Sequence, residues 1–232
     1  MIDIGTNSTR LLVADVAGTD VRTLDRRSRV TRLGRGVDHS GRLSADAIEA
    51  VCETVAGYVE VIAGNGPAKT SVIATSAVRD AENGGAFVAE LRERFALSAE
   101  ILDGDTEAQT TYLGTTAGRS GDEVLMVVDI GGGSTELIVG RGRQAIFHSS
   151  LQAGVVRHTE RMLSSDPPAA SELERLADDV DRLISASLEG EDLPTIERGV
   201  AVAGTPASLV AIDLGLEPDD PEAVEGHGLD LP

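Results

Sequence analysis

Apolar residues recur at every second position over the first thirty residues, which is the pattern of half-buried β-strands. Valine and isoleucine predict strands near residues 1–5, 9–17 and 21–33, separated by glycine and small polar residues. Short connections between consecutive strands favour antiparallel pairing. The chain is therefore predicted to begin with an antiparallel meander.

The pattern then becomes helical. Apolar side chains recur at three- and four-residue steps from Ser44, a good N-cap residue, to the break at Gly64-Asn-Gly-Pro67. Shorter elements follow in the sequence: a buried strand at 71–75, a helix at 84–95, a strand at 99–102 and a helix from Asp105 or Thr106 to about Ala117.

The second half of the chain starts a similar series of elements. We predict strands near 123–129, 134–141 and 144–150, helices near 154–163 and 170–188, and a buried strand at 199–203 that leads into another helix. The acidic segment from Glu217 onward is rich in proline and glycine and is predicted as loop. Because this segment offers no docking element, we expect the natural protein to continue beyond Pro232, and a first strand at residue 1 suggests a clipped start.

A short internal repeat decides the architecture. Residues 2–13 and 128–139 share Asp-Ile-Gly-x-x-Ser-Thr-x-Leu-x-Val, with seven identities in twelve positions, where composition alone would supply about one. The separation of the copies is too long for a solenoid repeat, so we predict two related α/β domains, residues 1–118 and 119–232. Two such hairpins facing each other would form a cleft with two similar turns.

The two turns have the composition of phosphate-binding loops. Glycine lets backbone N–H groups approach an anion, hydroxyl and amide side chains add donors, and the preceding aspartate is placed to hold Mg²⁺. For one copy alone a plain hairpin turn explains the pattern equally well, but the second copy favours ligand binding. The predicted phosphate ligands are Gly5, Thr6, Asn7 and Ser8 in the first turn and Gly131, Gly132, Gly133, Ser134 and Thr135 in the second.

Two common phosphate motifs are excluded. No Gly-Lys-Ser/Thr follows either turn, as in a Walker motif, and the glycines lead into a strand, unlike those of a dinucleotide fingerprint. Phosphate binding would then depend on backbone donors, a metal ion and arginine. Arg79, in a strand-to-loop passage, is the best arginine candidate, with a surface ion pair to Asp80 or Glu82 as the alternative.

Two glutamates are candidate catalytic groups. Glu136 follows the second turn at the position where the first copy has Arg10, which indicates that the two halves have divided their roles. Glu107 lies in the first turn of a predicted helix, where stabilising the helix dipole is the alternative to catalysis. Attack of water on a bound phosphate would require a base that orients the water in line with phosphorus.

Composition limits the class of partner. Acidic residues outnumber basic ones by 39 to 20, giving a net charge of −19, which argues against a general nucleic-acid binder. Without a run of about 20 apolar residues or a second cysteine, neither a membrane span nor a disulfide framework is expected, and we predict a cytoplasmic protein. Six arginines between Arg22 and Arg35 are either an exposed edge strand or a track for a polyanion.

These motifs resemble the exopolyphosphatase/guanosine pentaphosphate phosphohydrolase (Ppx/GppA) family. The similarity runs from Ile2 to about Leu214, and its most specific part is the second turn followed by Ser-Thr-Glu. The matching segments are residues 3–10, 74–79 with Asn83, 104–108, 129–136 and 203–205, with weaker matches at 33–37 and 150–154. One departure is Thr106, where many members carry a second glutamate.

The resemblance implies a two-domain fold of the actin, sugar-kinase and Hsp70 type, with duplicated mixed sheets and an active site in the cleft. It also implies Mg²⁺-dependent hydrolysis of a terminal phosphate from inorganic polyphosphate or guanosine pentaphosphate, and it is compatible with a homodimer. Glu107 would activate water, and Asp129 and Glu136 would hold Mg²⁺ and position the water. Gly204 and Thr205 would close the phosphate site from the second domain.

The alternatives differ in substrate and in class. Two tyrosines and three phenylalanines offer little surface for stacking on a base, which favours polyphosphate over guanosine pentaphosphate. A non-catalytic sensor of guanosine tetra- or pentaphosphate is the second alternative, and retention of Glu107 and Glu136 argues against it. A sugar kinase is the third, and the sequence lacks a convincing catalytic aspartate for a sugar site.

Overall fold

Two mixed β-sheets organise the chain in a computed structural model that describes residues 1–18, 20–119, 121–216 and 221–229. The first sheet is built from five strands: β1 (Ile2–Ile4), β2 (Ser8–Ala17), β3 (Asp20–Val30), β4 (Val72–Ala74) and β5 (Ala99–Ile101). Strand β2 pairs antiparallel with β1 and β3, while β4 pairs parallel with β1 and β5. The predicted meander is confirmed within a sheet of order β3-β2-β1-β4-β5.

Four helices accompany the first sheet: α1 (Val37–Ser40), α2 (Ala45–Asn65), α3 (Ser76–Asp80) and α4 (Gly84–Phe95). Helix α2 begins where predicted, because the Ser44 side chain accepts a hydrogen bond from Ala47 N at 3.2 Å, and it ends at Gly66 with φ 58°. Neither α1 nor α3 is predicted from the sequence. Arg79 therefore lies in a short helix, and the strand-to-loop passage predicted for it is wrong.

Helices α2 and α4 pack together against the first sheet and enclose its core. Apolar side chains from the helices and the strands meet there without exposure to solvent, among them Ile2, Leu11, Val51, Val55, Phe87 and Leu91. The Tyr58 hydroxyl donates to Thr9 O at 2.9 Å inside this layer. The apolar positions spaced along α2 in the sequence are therefore its core face.

The second sheet has four strands: β6 (Val124–Ile130), β7 (Thr135–Arg141), β8 (Gln144–Leu151) and β9 (Arg198–Val202). Its order is β8-β7-β6-β9, with β9 parallel to β6 and the other pairs antiparallel. The remaining helices are α5 (Gly104–Thr115), α6 (Val155–Met162), α7 (Ala170–Leu188), α8 (Gly204–Leu214) and α9 (Pro221–Val224).

The end of the chain differs from its prediction as continuous loop. The short helix α9 lies within that segment. Residues 217–220 and 230–232, which the same prediction covers, lie outside the described residues. None of the helices in the described part of the chain combines the length and the apolar character needed to cross a bilayer.

The two copies of the repeat form the same hairpin. Asp3 lies opposite Arg10 in the β1/β2 pair, and Asp129 lies opposite Glu136 in the β6/β7 pair. In both turns the first glycine N–H donates to the serine carbonyl three residues later, at 3.0 Å. Each hairpin also carries a parallel strand on the far side of its first strand, β4 in one sheet and β9 in the other. The prediction of duplicated mixed sheets is confirmed.

Helix α5 lies on the second sheet, although it precedes that sheet in the chain. Its buried Ala108 and Tyr112 pack with Leu125, Val127 and Ile138 in a separate apolar cluster. The helix that carries Glu107 is therefore anchored to the second sheet. The predicted domain boundary at residue 118 stays a prediction. Helix α5 precedes this boundary in the sequence but packs on the second sheet.

The arginine run does not form a continuous row. Strand β3 is an exposed edge strand, and its Arg26 and Arg27 lie opposite Leu12 and Leu11, so the two arginines are on opposite faces of the sheet. The strand ends at Val30 because the next two backbone N–H groups donate to Asn7 O. Beyond it, Arg32 and Arg35 line an open pocket beside Asn7. For the arginines within β3, the structure agrees with the interpretation as an exposed edge strand.

Tyr112 tests the anchoring of α5. It is 1% exposed, and its hydroxyl donates to Gly142 O at 3.2 Å. Tyr112→Ala should lower the free energy of unfolding by about 3–5 kcal/mol through the cavity it leaves, whereas Tyr112→Phe should cost only about 1 kcal/mol for the lost hydrogen bond. Urea unfolding measures both changes. Equal effects of the two substitutions would contradict packing as the main contribution.

Candidate active site

The two glycine turns lie against each other where the sheets meet. A Cβ atom added at Gly132 would lie 3.1 Å from Thr6 Cβ. One added at Gly133 would lie 2.8 Å from Thr6 Oγ1 and 2.4 Å from Ser76 Oγ. A side chain at either glycine would push the turns apart, so glycine permits their close approach. The hairpins predicted to face each other do so.

The carbonyl groups of the first turn are held by the segment after β3. Thr6 O accepts a hydrogen bond from Gly34 N at 2.8 Å, and Asn7 O accepts from Thr31 N and Arg32 N at 3.0 and 2.9 Å. These donors all come from one side of the turn. In a trans peptide the N–H group points away from the carbonyl of the preceding residue, so the Asn7 N–H points away from this segment.

The second turn is held in the same manner by the start of α6. Gly131 O accepts from Val155 N at 3.0 Å, and Gly132 O accepts from Val156 N at 2.9 Å. The approach is so close that a Cβ atom at Gly154 would lie 2.3 Å from the Gly132 carbonyl carbon. The first amide groups of α6 are therefore used by the turn and are not available to a ligand.

The backbone N–H groups of the turns are left as donors. The N–H groups of Asn7, Gly132 and Gly133 have no acceptor among the residues that the structure describes. Successive N–H groups on glycine-rich backbone form a concave binding surface for anions such as phosphate oxygens. The structure thus brings the predicted turn residues together with their donors free.

Glu107 is held by an arginine. Its Oε2 accepts from Arg79 Nη1 at 2.8 Å, and the same nitrogen donates to Leu102 O at 2.9 Å. Burial raises the pKa of Glu107, the Arg79 guanidinium opposes this shift, and the charges of Asp129 and Asp3 add to it. The Glu107 side chain is 16% exposed. A largely buried carboxylate therefore lies near the carboxylates of Asp129 and Asp3.

Arg79 is therefore engaged with a carboxylate of the site. The surface ion pair weighed for it is a minor contact, with Asp80 Oδ1 3.8 Å from Nε, while Glu82 pairs with Arg42. Its phosphate-binding role stays a prediction. The structure adds a function that the sequence did not reveal, which is to orient Glu107.

Glu136 is the most buried of the site carboxylates. Its residue is 1% exposed, and Ser150 Oγ donates to Oε1 at 2.9 Å. Burial raises the pKa of Glu136 to about 7, the charge of Glu107 adds to the shift, and hydrogen bonds from Ser134 and Ser150 oppose it. A group in this state exchanges a proton near neutral pH.

The two aspartates of the repeat share a positive neighbour. Asp129 accepts from Thr111 Oγ1 at 3.2 Å, and Arg10 Nη1 lies 3.9 Å from Asp3 Oδ2. Burial raises the pKa of Asp3, which Arg10 opposes and the charge of Asp129 reinforces. Burial also raises the pKa of Asp129, against hydrogen bonding from Thr111 and the charge of Arg10.

Helix α8 approaches the site from the second sheet. A Cβ atom at Gly204 would lie 3.8 Å from Arg10 Nη2, and the preceding Ala203 has φ 77°, an unusual value for a residue with a side chain. Within the described residues, neither Gly204 nor Thr205 forms a hydrogen bond to either turn. Their phosphate-binding role stays a prediction.

The donor set fits Mg²⁺. Four carboxylates, Asp3, Asp129, Glu107 and Glu136, lie near two arginines, Arg10 and Arg79. Burial raises the pKa of each carboxylate, and neighbouring negative charges add to the shift for Asp3, Glu107 and Glu136. Carboxylate oxygens are hard ligands of the kind that Mg²⁺ prefers. Asp129 and Glu136, opposite each other in the β6/β7 pair, would hold the ion together with phosphate oxygens and water, which is the usual coordination of Mg²⁺ beside a phosphate.

A different acidic cluster does not compete for this role. Among the described residues, Glu49, Cys52 and Glu90 are the group whose ligand atoms lie within 4.8 Å of one another. Arg94 already pairs with both glutamates, at 2.7 and 3.0 Å, and burial raises the pKa of the Cys52 thiol to about 11. This cluster is satisfied as an ion pair.

Three contributors were not predicted as site residues. Arg10 could have been found, since it breaks the repeat at the position of Glu136. Ser150 lies in a weaker family match, but its contact with Glu136 depends on the register of β8 against β7. Thr111 reaches Asp129 from one turn beyond Glu107 on α5, and helical spacing alone does not indicate which sheet that face meets.

Comparison with known proteins identifies the class to which this fold and site belong. Residues 12–213 match the sequence profile of the Ppx/GppA phosphatase family. The chain belongs to this family, which confirms the resemblance found in the motifs.

Particular relatives agree with that assignment. Exopolyphosphatase 2 of Mycobacterium tuberculosis is 33% identical over 234 residues, covering 96% of this chain and 73% of that protein. The crystal structure of an exopolyphosphatase-like protein is similar with a TM-score of 0.87 at 34% identity, covering 93% of this chain and 68% of the other. The Aquifex aeolicus Ppx/GppA family member has a TM-score of 0.77 at 30% identity, covering 97% and 72%.

The fold extends beyond the family. A PilM-PilN type IV pilus biogenesis complex has a TM-score of 0.59 at 17% identity, covering 93% of this chain and 85% of the other, which shows a common fold alone. Together with the two mixed sheets and their matching hairpins, these similarities confirm the two-domain actin-like fold.

The raised pKa of Glu136 predicts a pH-dependent stability in metal-free protein. The folded state holds the Glu136 proton up to about pH 7, and the unfolded state only up to about 4.5. This contribution is fully present below pH 4.5 and is lost as pH rises through about 7. Relative to Glu136→Gln, the wild type should therefore lose stability over that range, by on the order of 3 kcal/mol.

Urea unfolding in EDTA between pH 5 and 8 measures the difference between the two stability curves. Glu60→Gln, on an exposed position of α2, is the control and should leave the curve unchanged. A wild type that gained stability over Glu136→Gln as pH rises would contradict the assignment.

Proposed function

We propose that this protein is a Mg²⁺-dependent exopolyphosphatase that removes the terminal phosphate of inorganic polyphosphate. The observation that carries the proposal is the position of Glu107, which Arg79 holds at 2.8 Å beside Asp129 and Glu136. The free N–H groups of the two turns supply donors for the oxygens of the terminal phosphate. Mg²⁺ held at Asp129 and Glu136 would offset the charge on the phosphate oxygens.

Glu107 would act as the general base. Arg79 occupies Oε2, so Oε1 takes the proton from the attacking water, whose oxygen forms a bond to the terminal phosphorus. The bond from that phosphorus to the bridging oxygen breaks, and the bridging oxygen leaves with the electron pair on the shortened chain. Burial makes Glu107 a stronger base than a surface glutamate, since the raised pKa reflects a carboxylate that gains more from a proton.

Polyphosphate is the preferred substrate because the chain has few surfaces for a base. Both tyrosines are buried, and each uses its hydroxyl inside the protein: Tyr58 donates to Thr9 O and Tyr112 to Gly142 O. Phe87 is also fully buried. Relatives named exopolyphosphatase support the same choice. A cytoplasmic location and a homodimer belong to this proposal, and cell fractionation and light scattering test them.

Glu107→Gln removes the base while keeping the shape of the side chain. We expect kcat for phosphate release to fall by about 10²- to 10⁴-fold with polyphosphate affinity within about threefold of wild type, because the base acts on water and not on substrate binding. Asp105→Asn is the matched control, since Asp105 lies in the same first helical turn with its side chain 79% exposed. Release that survives Glu107→Gln within about tenfold would exclude Glu107 as the base.

Asp129→Asn tests the metal assignment. The substitution should raise the Mg²⁺ concentration needed for half-maximal phosphate release by about tenfold or more, because one anionic oxygen ligand is lost. Asp122→Asn, at an exposed position just before the same strand, should leave the Mg²⁺ requirement unchanged. An unaltered requirement in Asp129→Asn would count against Asp129 as a ligand.

Phosphate release from polyphosphate, guanosine pentaphosphate and ATP, measured side by side with and without Mg²⁺, tests the substrate. Polyphosphate should be hydrolysed fastest, and only with Mg²⁺. Faster release from guanosine pentaphosphate would favour the nucleotide phosphohydrolase alternative. Tight binding of guanosine tetraphosphate without release from any substrate would favour a sensor.

A further inference from the structure

A partly buried arginine on α6 connects the second turn to the helices of the first sheet. Arg157 Nε donates to Gly133 O at 2.7 Å. Its two terminal nitrogens donate to Asp38 Oδ1 at 2.5 Å and to Asp80 Oδ2. The side chain is 12% exposed. Because Asp38 belongs to α1 and Asp80 to α3, one guanidinium joins three elements from both halves of the molecule.

The three bonds use the shape of arginine. A planar guanidinium offers donors in fixed directions, whereas a lysine ammonium is a compact charge on a flexible stem. Removing the cation would leave the partly buried Asp80 with the 3.8 Å contact to Arg79 as its one ion pair among the described residues, while Asp38 would keep Arg161. Arg157 is thus suited to hold several groups in a set geometry at once.

The bond to Gly133 O completes the support of the second turn. The carbonyl groups of Gly131 and Gly132 are held by backbone N–H groups of α6, and the Gly133 carbonyl is held by the Arg157 side chain together with Gly154 N at 3.2 Å. The peptide group that carries Gly133 O also carries the N–H of Ser134, which points the opposite way. Like those of Gly132 and Gly133, the Ser134 N–H has no acceptor among the described residues. Fixing the carbonyl therefore fixes the direction of a free donor.

We infer that Arg157 is a positioning residue for phosphate binding. It orients the peptide between Gly133 and Ser134 so that the N–H group faces the ligand. Its own position is set by Asp38 and Asp80 in the first half of the molecule. The second turn therefore has its binding geometry when α6 is in contact with α1 and α3. The inference rests on the proposed phosphate site and extends it to a residue outside that site.

Arg161 supplies a matched control on the same helix. Its Nε and Nη2 donate to Asp38 at 3.0 and 2.6 Å, and its side chain is 40% exposed. Within the described residues it contacts neither the second turn nor Asp80. Glu160 also joins the halves, through both carboxylate oxygens to Gly36 N at 3.1 and 3.0 Å. The contacts of Arg161 and Glu160 therefore still join α6 to the first half of the molecule when Arg157 is changed.

The kinetic test compares Arg157→Gln with Arg161→Gln on polyphosphate in the presence of Mg²⁺. We expect Arg157→Gln to raise KM by about tenfold or more, because the turn loses an oriented donor, and Arg161→Gln to change it by less than about threefold. A substitution that only destabilised the protein would reduce the fraction of folded enzyme. It would therefore lower the apparent kcat and leave KM unchanged. Guanidinium ion added to Arg157→Ala should recover part of the affinity, since both aspartates remain to bind it.

Hydrogen exchange tests the positioning without substrate. Peptides covering residues 128–138 should exchange amide hydrogens faster in Arg157→Gln than in wild type. In Arg161→Gln the exchange rate of these peptides should equal that of the wild type. Equal KM and equal exchange in the two variants would overturn the inference, leaving an ion pair with Asp38 as the role of both arginines. If the wild type neither binds nor hydrolyses polyphosphate, the proposed function fails, while the exchange comparison still decides whether Arg157 holds the turn.

Discussion

The contact between two glycine turns is the constraint on which the rest of the structure depends. Gly132 and Gly133 lie so close to Thr6 and Ser76 that no side chain fits between them. Each turn follows a strand whose penultimate residue is aspartate, so the approach of the turns also brings Asp3 and Asp129 together. The segments behind the turns occupy their carbonyl groups, which leaves the amide groups for a ligand. One steric condition thus places both the donors and the acids.

Electrostatic repulsion is the cost of this arrangement and the basis of its chemistry. A chain with a net charge of −19 gathers four carboxylates around two arginines. Burial raises the pKa of each carboxylate, and the neighbouring negative charges add to the effect for Asp3, Glu107 and Glu136. Such a cluster is stabilised by a divalent cation or by protons. It therefore suits a reaction in which a cation arrives with an anionic substrate and a glutamate accepts a proton.

Local signals predicted much of this molecule. The hairpins and their register follow from a repeat whose turns have the same length, because turn geometry determines which residues face each other. Helix α2 follows from its cap and its apolar spacing. The sequence does not show that α5 packs on the second sheet, that Arg79 binds Glu107, or that Arg157 supports the second turn. Each of these contacts joins residues far apart in the chain, and no local pattern encodes which faces meet.

Helix α5 has a consequence for how motion would affect chemistry. Tyr112 fixes it to the second sheet, whereas Arg79 comes from α3 beside the first sheet, so the bond between Arg79 and Glu107 crosses from one half to the other. Hinge opening would lengthen this bond. Glu107 would then lose the donor that orients it, and hydration would relax the burial that raises its pKa and makes it a stronger base. Closure of the halves and activation of the base would be a single event, so an open enzyme would be protected against idle turnover.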